Sequence, residues 1–530
     1  MEKNPVIEAS PIDEAKGAEI MEKYEKESRT RKFDAGWLGK LIYFICLAFT
    51  IYHLAYASGI RALQMVSIKH HAIHVGLILV LGFALYPAFK KSTRRKIVWY
   101  DWVFLIFSAA MPIYVFLRYP TFISTGFQGE MIDVVMGTIM IFLVMECSRR
   151  ISGPALTILS GIFLIYAIFG RSFPGVFMHR GYTWHRIVTY LTTDIYGIYG
   201  TSIQVSATYI VLFIIFGEVM NKCGMGQFFN DIANALAGHT KGGPAKVAVL
   251  ASGFLGSING SAVANVVTTG TFTIPLMKKT GYSKEFAGSV EATASVGGQL
   301  LPPIMGAAAF VMADLTGIPY STIIIAAIVP GILYYLSLGV SVYLEADKQG
   351  LQAESADKLP QVKKVLKEGW YYALPIIVLI VALLGFGLSA NFAALFSIAV
   401  LLVIGFVKEW LTNKRLPFKE VFNALVKASK TTVSVTVACA CAGIVIGIVS
   451  MTGIGIKFTS IVFKLSGGHL VLMLLLVMLA CIIMGMGLPS TAAYIIAATV
   501  GVPSLTAAGI PELAANLFVF YFAIMSFITP

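Results

Sequence analysis

Residues 256–261 read Gly256-Ser257-Ile258-Asn259-Gly260-Ser261, and residues 485–491 read Gly485-Met486-Gly487-Leu488-Pro489-Ser490-Thr491. Each string interrupts a long apolar stretch, and the two lie 229 positions apart (485 minus 256). The same shift places Gly224 on Gly453, Gly226 on Gly455, Phe229 on Phe458, Gly238 on Gly467 and Ser261 on Ser490. With one residue deleted, Pro275 meets Pro503 and Pro302 meets Pro530. Apolar bias matches Leu and Ala by chance, but it does not set Gly, Ser and Pro in the same order twice. The chain carries an internal repeat.

The setting of the repeat is a membrane. Of 530 residues, 57% are hydrophobic and 13% charged, against about 25% charged in soluble domains. That excludes a soluble enzyme, a disordered chain and a nucleic-acid binder. The net charge of +13 sits in short basic clusters between apolar runs: Lys90, Lys91, Arg94, Arg95 and Lys96; Arg149 and Arg150; Lys408, Lys414 and Arg415. Such clusters mark cytoplasmic loops. The six cysteines are scattered and fit neither a disulfide framework nor a metal site.

Apolar runs long enough to span lie near 37–57, 72–89, 98–118, 132–148, 154–170, 203–221, 322–343, 371–388, 390–407 and 431–450. Two further regions, 243–312 and 467–529, are apolar but broken by Gly, Ser and Pro. None alternates with period two, so the fold class expected is an all-α polytopic membrane protein and not a β-barrel. If the charged tail 1–35 is cytoplasmic, run 203–221 enters the cytoplasm and its counterpart 431–450 leaves it. The copies are then inverted, the architecture of many secondary transporters.

In copy one the break is flanked by Lys246 and by Lys278 and Lys279, which implies a re-entrant hairpin. Copy two matches it from the other side. Each hairpin is followed by a second break, at Gly297-Gly298-Gln299-Leu300-Leu301-Pro302-Pro303 and at Ser526-Phe527-Ile528-Thr529-Pro530. Backbone released from a helix cannot face lipid. Unwound carbonyls with Ser, Thr and Asn oxygens suit a hard cation such as Na⁺, and helix N-termini starting at a break favour an anion. The plainer account is that Gly and Ser only permit close helix packing.

These residues resemble the TRAP (tripartite ATP-independent periplasmic) transporters, and most closely the fused permeases of the TAXI branch. The resemblance rests on Gly-Ser-Ala-Val-Ala-Asn-Val-Val-Thr-Thr-Gly-Thr-Phe-Thr-Ile-Pro-Leu-Met at 260–277, Glu-Phe-Ala-Gly-Ser-Val-Glu-Ala at 285–292, Gly-Gly-Gln-Leu-Leu-Pro-Pro at 297–303 and Gly-Met-Gly-Leu-Pro-Ser-Thr-Ala-Ala-Tyr at 485–494. It implies an elevator-type transporter with a small four-helix domain (36–150), a connecting span and outer loop (151–202), repeat 1 (203–343), a cytoplasmic loop and linking hairpin (344–430) and repeat 2 (431–530). It further implies import of an organic acid, driven by Na⁺ and without ATP, across a bacterial or archaeal inner membrane with the N-terminus cytoplasmic. Its partner would be a TAXI-type extracytoplasmic binding protein. No enzyme activity and no cofactor beyond the coupling ion are expected.

By the same resemblance, Ser257, Asn259 and Ser261 with the 298–302 backbone (Gly298 and Leu301 in particular) are expected to hold one Na⁺. Gly485, Gly487, Ser490 and Thr491 with Ser526 and Thr529 are expected to hold another. Substrate is expected between the hairpin tips, near Ser261, Asn265, Gln299, Pro302, Ser490 and Thr491. Glu291 lies inside an apolar run; a buried structural hydrogen bond and a role in coupling are both open. His70, His71 and His74 are read as an interfacial helix start at the outer surface and not as a metal site. The competing functions are a standalone Na⁺/dicarboxylate symporter, an intramembrane protease built on Ser257, and a channel. Copy two stops at the position equivalent to Pro302, so the native protein is expected to extend by another proline and one or two spans.

Overall fold

Apolar runs of about 20 residues become helices in a bilayer because only a helix satisfies its own backbone. The computed structural model describes residues 29–33, 36–89, 96–351, 360–413 and 418–529, and these contain helices and no strand. The first part of the charged tail (1–28), the basic cluster 90–95, the pair Lys414 and Arg415, and Pro530 lie outside the described residues.

In chain order the helices are α1 (Trp37–Ala57), α2 (Ser67–Leu85), α3 (Trp99–Ser124), α4 (Met131–Ile151), α5 (Pro154–Ile168), α6 (Trp184–Thr192) and α7 (Thr201–Lys222). Then come α8 (Met225–Ala237), α9 (Gly243–Asn259), α10 (Ala262–Lys279), α11 (Lys284–Gly297), α12 (Ala307–Thr316) and α13 (Tyr320–Lys348). The chain continues through α14 (Val362–Gly369), α15 (Leu374–Ile380), α16 (Ala390–Asn413), α17 (Phe418–Thr452), α18 (Ile454–Ser466), α19 (Leu470–Gly485), α20 (Ser490–Ala507) and α21 (Glu512–Met525).

Among the described residues nine helices are long and apolar enough to cross a bilayer: α1 to α4, α7, α13, α16, α17 and α20. A tenth span is possible if Val362–Tyr372 and Leu374–Gly385 count together, although they meet at 62°. Run 371–388 is thus the apolar arm of a bent pair and not a straight span. Run 154–170 also departs from expectation. Its helix ends at Ile168 after 15 residues, about 22 Å at 1.5 Å per residue, short of a ~30 Å hydrocarbon core.

The chain divides into two compact bodies. The first holds Phe216–Gly306 and Pro319–Ala424; the second holds residues 29–215, Ala307–Ile318 and 425–529. In the first body, small side chains let α9, α10, α11 and α13 approach closely around Ala245, Ala248, Ala287, Ala294 and Ala346, the packing favoured between membrane helices. In the second, α19, α20 and α21 pack together, and α12 packs on α20 and α21.

The second body also holds two buried polar networks. The Arg31 guanidinium bonds to Asp101 and donates to the carbonyls of Phe83 (2.8 Å) and Ala84 (3.0 Å), while Arg150 reaches the same carboxylate at 2.6 Å. The second network is made by histidines: His70, His71 and His74 are buried in the first half of α2. His53 Nδ1 donates to the Phe49 carbonyl (2.8 Å), so its Nε2 accepts from His74 Nδ1 (2.8 Å). His74 Nε2 then accepts from the paired hydroxyls of Ser206 and Thr436, which stand 3.1 and 3.0 Å from it and 2.8 Å from each other, so that one donates to the ring and the other to its neighbour. His71 donates to the Tyr199 carbonyl at 2.7 Å. Imidazoles joined to carbonyls and hydroxyls tie α1, α2, α7 and α17 together, and the described residues contain no group arranged to hold a metal.

Asp101→Ala would leave two buried guanidiniums without their carboxylate, a loss of about 3–5 kcal/mol. The expected result is a clearly lower thermal unfolding temperature in detergent. An unchanged temperature would show that the ion cluster is dispensable.

Candidate functional site

Hairpin one is made by α9 and α10, joined through Gly260 and Ser261. Gly260 sits at φ +62°, where only glycine is free of strain, and the Ser261 side chain caps α10 by accepting the Ala264 N–H at 3.3 Å. After α11 the chain makes a 3-10 turn at Gly298–Leu300 and then leaves helical geometry until α12. The hairpin and this break are locked together. A Cβ on Gly298 would stand 2.4 Å from the Gly256 Cα, and one on Gly256 would stand 2.7 Å from the Gly298 Cα. The two backbones touch, and nothing larger than glycine fits. Beside them the Ser257 carbonyl accepts both the Ile304 and the Met305 N–H, each at 3.1 Å. Those bonds hold Met305, a buried non-glycine residue at φ +62°, a conformation that costs about 1–3 kcal/mol. The Tyr320 hydroxyl fixes the far side of the break through the Pro303 (3.2 Å) and Ile304 carbonyls.

Copy two makes the corresponding contact in the second body. Gly485 ends α19, and a Cβ there would meet Ser526 Oγ at 2.5 Å and the Ala523 carbonyl at 2.9 Å. Gly485 is the repeat partner of Gly256, and Ser526 is the partner of Gly298 at the shift of 228 (526 minus 298). The link from α19 to α20 turns at Gly487, φ +72°.

The structure brings Ser257, Asn265, Gly298 and Gln299 to the first junction, with Leu301 and Pro302 just after it. Two of them stand out. The Asn265 amide N–H₂ donates to the Ser252 carbonyl at 2.8 Å, which turns its oxygen the other way. Asn265 Oδ1 and Gln299 Oε1 are buried, and neither accepts a hydrogen bond from any described residue. A buried amide oxygen left so is unfavourable unless something else binds it. Ser257, by contrast, has its hydroxyl on the Phe254 carbonyl (2.9 Å) and its own carbonyl fully used. Asn259 ends α9, and its side chain lies outside what is described.

In the second body the Ser526 hydroxyl donates to the Ala523 carbonyl (2.7 Å) and that of Thr529 to the Met525 carbonyl (2.6 Å). Thr491 is buried at the start of α20 and Ser490 opens that helix.

Glu291 is fully buried on α11 and is surrounded by hydroxyls. Ser252 (2.8 Å), Thr273 (2.6 Å), Ser295 (3.2 Å) and Thr269 bond to its carboxylate. Those donors come from α9, α10 and α11, so one side chain ties both hairpin arms to the helix that leads into the break. Sequence reasoning singled out Glu291 and missed its partners. Their signal was present: Thr269 and Thr273 lie four apart on one helix face, as do Glu291 and Ser295.

Broken membrane helices packed against hairpins are an architecture shared by many secondary transporters. Residues 139–530 match the family described as tripartite ATP-independent periplasmic transporter, DctM component, and the chain belongs to that family. It is 24% identical over 323 residues to the 2,3-diketo-L-gulonate TRAP transporter large permease protein YiaN of Escherichia coli, covering 60% of this chain and 71% of that one. It is 27% identical over 221 residues to the sialic acid TRAP transporter permease protein SiaT of Haemophilus influenzae (42% and 35%). The C4-dicarboxylate TRAP transporter large permease protein DctM of Pseudomonas aeruginosa is 31% identical over 173 residues (33% and 38%). The protein is therefore a multi-pass permease component of a TRAP system.

Gly298→Ala and Gly256→Ala should each overpack the junction by about 1–3 kcal/mol and lower the unfolding temperature. Gly288→Ala, inside α11 where a Cβ meets nothing within 4 Å, should leave it unchanged or slightly raised. Equal behaviour of all three would refute the close contact.

Proposed function

We propose that this chain is the fused permease of a TAXI-branch TRAP transporter that imports an organic acid with Na⁺. In this reading residues 36–150 are the small domain, 203–343 and 431–530 are inverted repeats of an elevator-type transporter, and the N-terminus is cytoplasmic. The family match begins at residue 139, close to the end of the proposed small domain, which supports a separate module before it. The three relatives' names specify a keto sugar acid, sialic acid and C4-dicarboxylates. All are carboxylates, and that supports an organic acid here. A soluble extracytoplasmic binding protein would deliver it.

The observation that carries the Na⁺ reading is a pair of buried oxygens without a partner among the described residues, Asn265 Oδ1 and Gln299 Oε1, flanking the Gly256–Gly298 junction. Neutral oxygens in a tight, buried site suit a hard monovalent cation. Ser257, Asn259, Ser261, Gly298 and Leu301 complete the proposed first ion site, and Gly485, Gly487, Ser490, Ser526 and Thr529 the second. Substrate would bind near Ser261, Asn265, Gln299, Pro302, Ser490 and Thr491, where the N-termini of α10 and α20 favour an anion.

Uptake into proteoliposomes tests this. Transport should require an inward Na⁺ gradient and the binding protein, and Asn265→Ala and Gln299→Ala should each raise the half-saturating Na⁺ about tenfold, equivalent to ~1.4 kcal/mol. Equal uptake in Na⁺-free buffer would refute the coupling, and full uptake without a binding protein would favour a standalone symporter.

A further inference from the structure

A groove of about 570 Å³ runs between α9 and α13 in the first body. Leu250 and Phe254 form one wall and Leu336 and Val340 the other. At one end lies Leu301, packed close to Gly331 of α13. At the other, Lys246 Nζ stands 5.0 Å over the ring of Tyr343. The groove is open along α13, where Leu336 is 60% and Val340 50% exposed.

Two features specify an occupant. The first is length. From Lys246 to Phe254 and from Tyr343 to Ile332 the walls cover about 12 and 16 Å of helix at 1.5 Å per residue, the depth of one leaflet of a ~30 Å hydrocarbon core. The second is charge. Lys246 has a 3.3 Å contact to the Thr240 hydroxyl and no carboxylate within ion-pair distance among the described residues. An apolar channel one leaflet deep with an uncompensated ammonium at its mouth matches an amphiphile with an anionic head.

We propose that the groove binds one acyl chain of an anionic glycerophospholipid, with the phosphate on Lys246 and the chain end against Leu301. Leu301 directly follows the 3-10 turn of the first break, so a bound lipid braces the backbone that carries Gly298 and Gln299. The lipid is then a structural cofactor of the ion site and not a transported molecule.

The groove offers a clean substitution. A Cβ on Gly339 would meet nothing within 4 Å, so Gly339→Phe fills the channel without entering the core, while Lys246→Gln removes the charge and leaves the channel open. The full chain, purified and delipidated in mild detergent, is titrated with phosphatidylglycerol or phosphatidylcholine and followed by native mass spectrometry and thermal unfolding. Wild type should retain one phosphatidylglycerol adduct and unfold at a higher temperature with it than with equimolar phosphatidylcholine. Gly339→Phe should lose the adduct and the shift, and Lys246→Gln should lose only the preference for the anionic lipid. The proposal is overturned if both variants keep the wild-type adduct and preference. It is equally overturned if wild type does not distinguish the two lipids, or if inorganic phosphate alone reproduces the shift.

Discussion

The approach of one backbone to another at Gly256 and Gly298 governs the rest of the site. A membrane helix can be broken only where its freed N–H and C=O groups find protein partners, and here the partner is the tip of a hairpin. Because neither residue has a side chain, the Gly256 and Gly298 α-carbons come within van der Waals contact. The Ser257 carbonyl can then take two amides of the break. Two oxygens there accept no hydrogen bond from any described residue: the amide oxygens of Asn265 and Gln299. A larger residue at the junction would separate the hairpin from the break and disperse those groups.

Glu291 serves the same geometry from below. A carboxylate in an apolar setting is unfavourable unless it is bonded, and four hydroxyls meet that need. The chain of contacts continues upward, since Ser252 bonds Glu291 through its hydroxyl and Asn265 through its carbonyl. The orientation of the Asn265 oxygen therefore depends on helices that Glu291 holds together. The second body reaches its own hairpin-to-break contact with Gly485 and Ser526, a serine where the first copy has glycine.

Much of this was legible in the sequence because membrane helices and their interruptions are written in composition. Span lengths followed from apolar runs, and the breaks from Gly, Ser and Pro at repeated positions. Residues that act through distant partners were not legible. Asp101 meets Arg31 and Arg150, 70 and 49 positions away, and no local pattern announces such a cluster. The partners of the α2 histidines were not legible either, because the carbonyl and hydroxyls that bond to them come from distant parts of the chain. The run after Pro154 has the composition of a span, but its helix stops two residues short of Gly170.

The cation proposed beside the Gly256–Gly298 junction is tested most directly by a pair of cryo-electron microscopy maps of the full chain, in Na⁺ and in K⁺. The prediction is density bonded to Asn265 Oδ1 and Gln299 Oε1 in Na⁺ and absent in K⁺. A Na⁺ map with no such density and both oxygens paired to protein donors would contradict it.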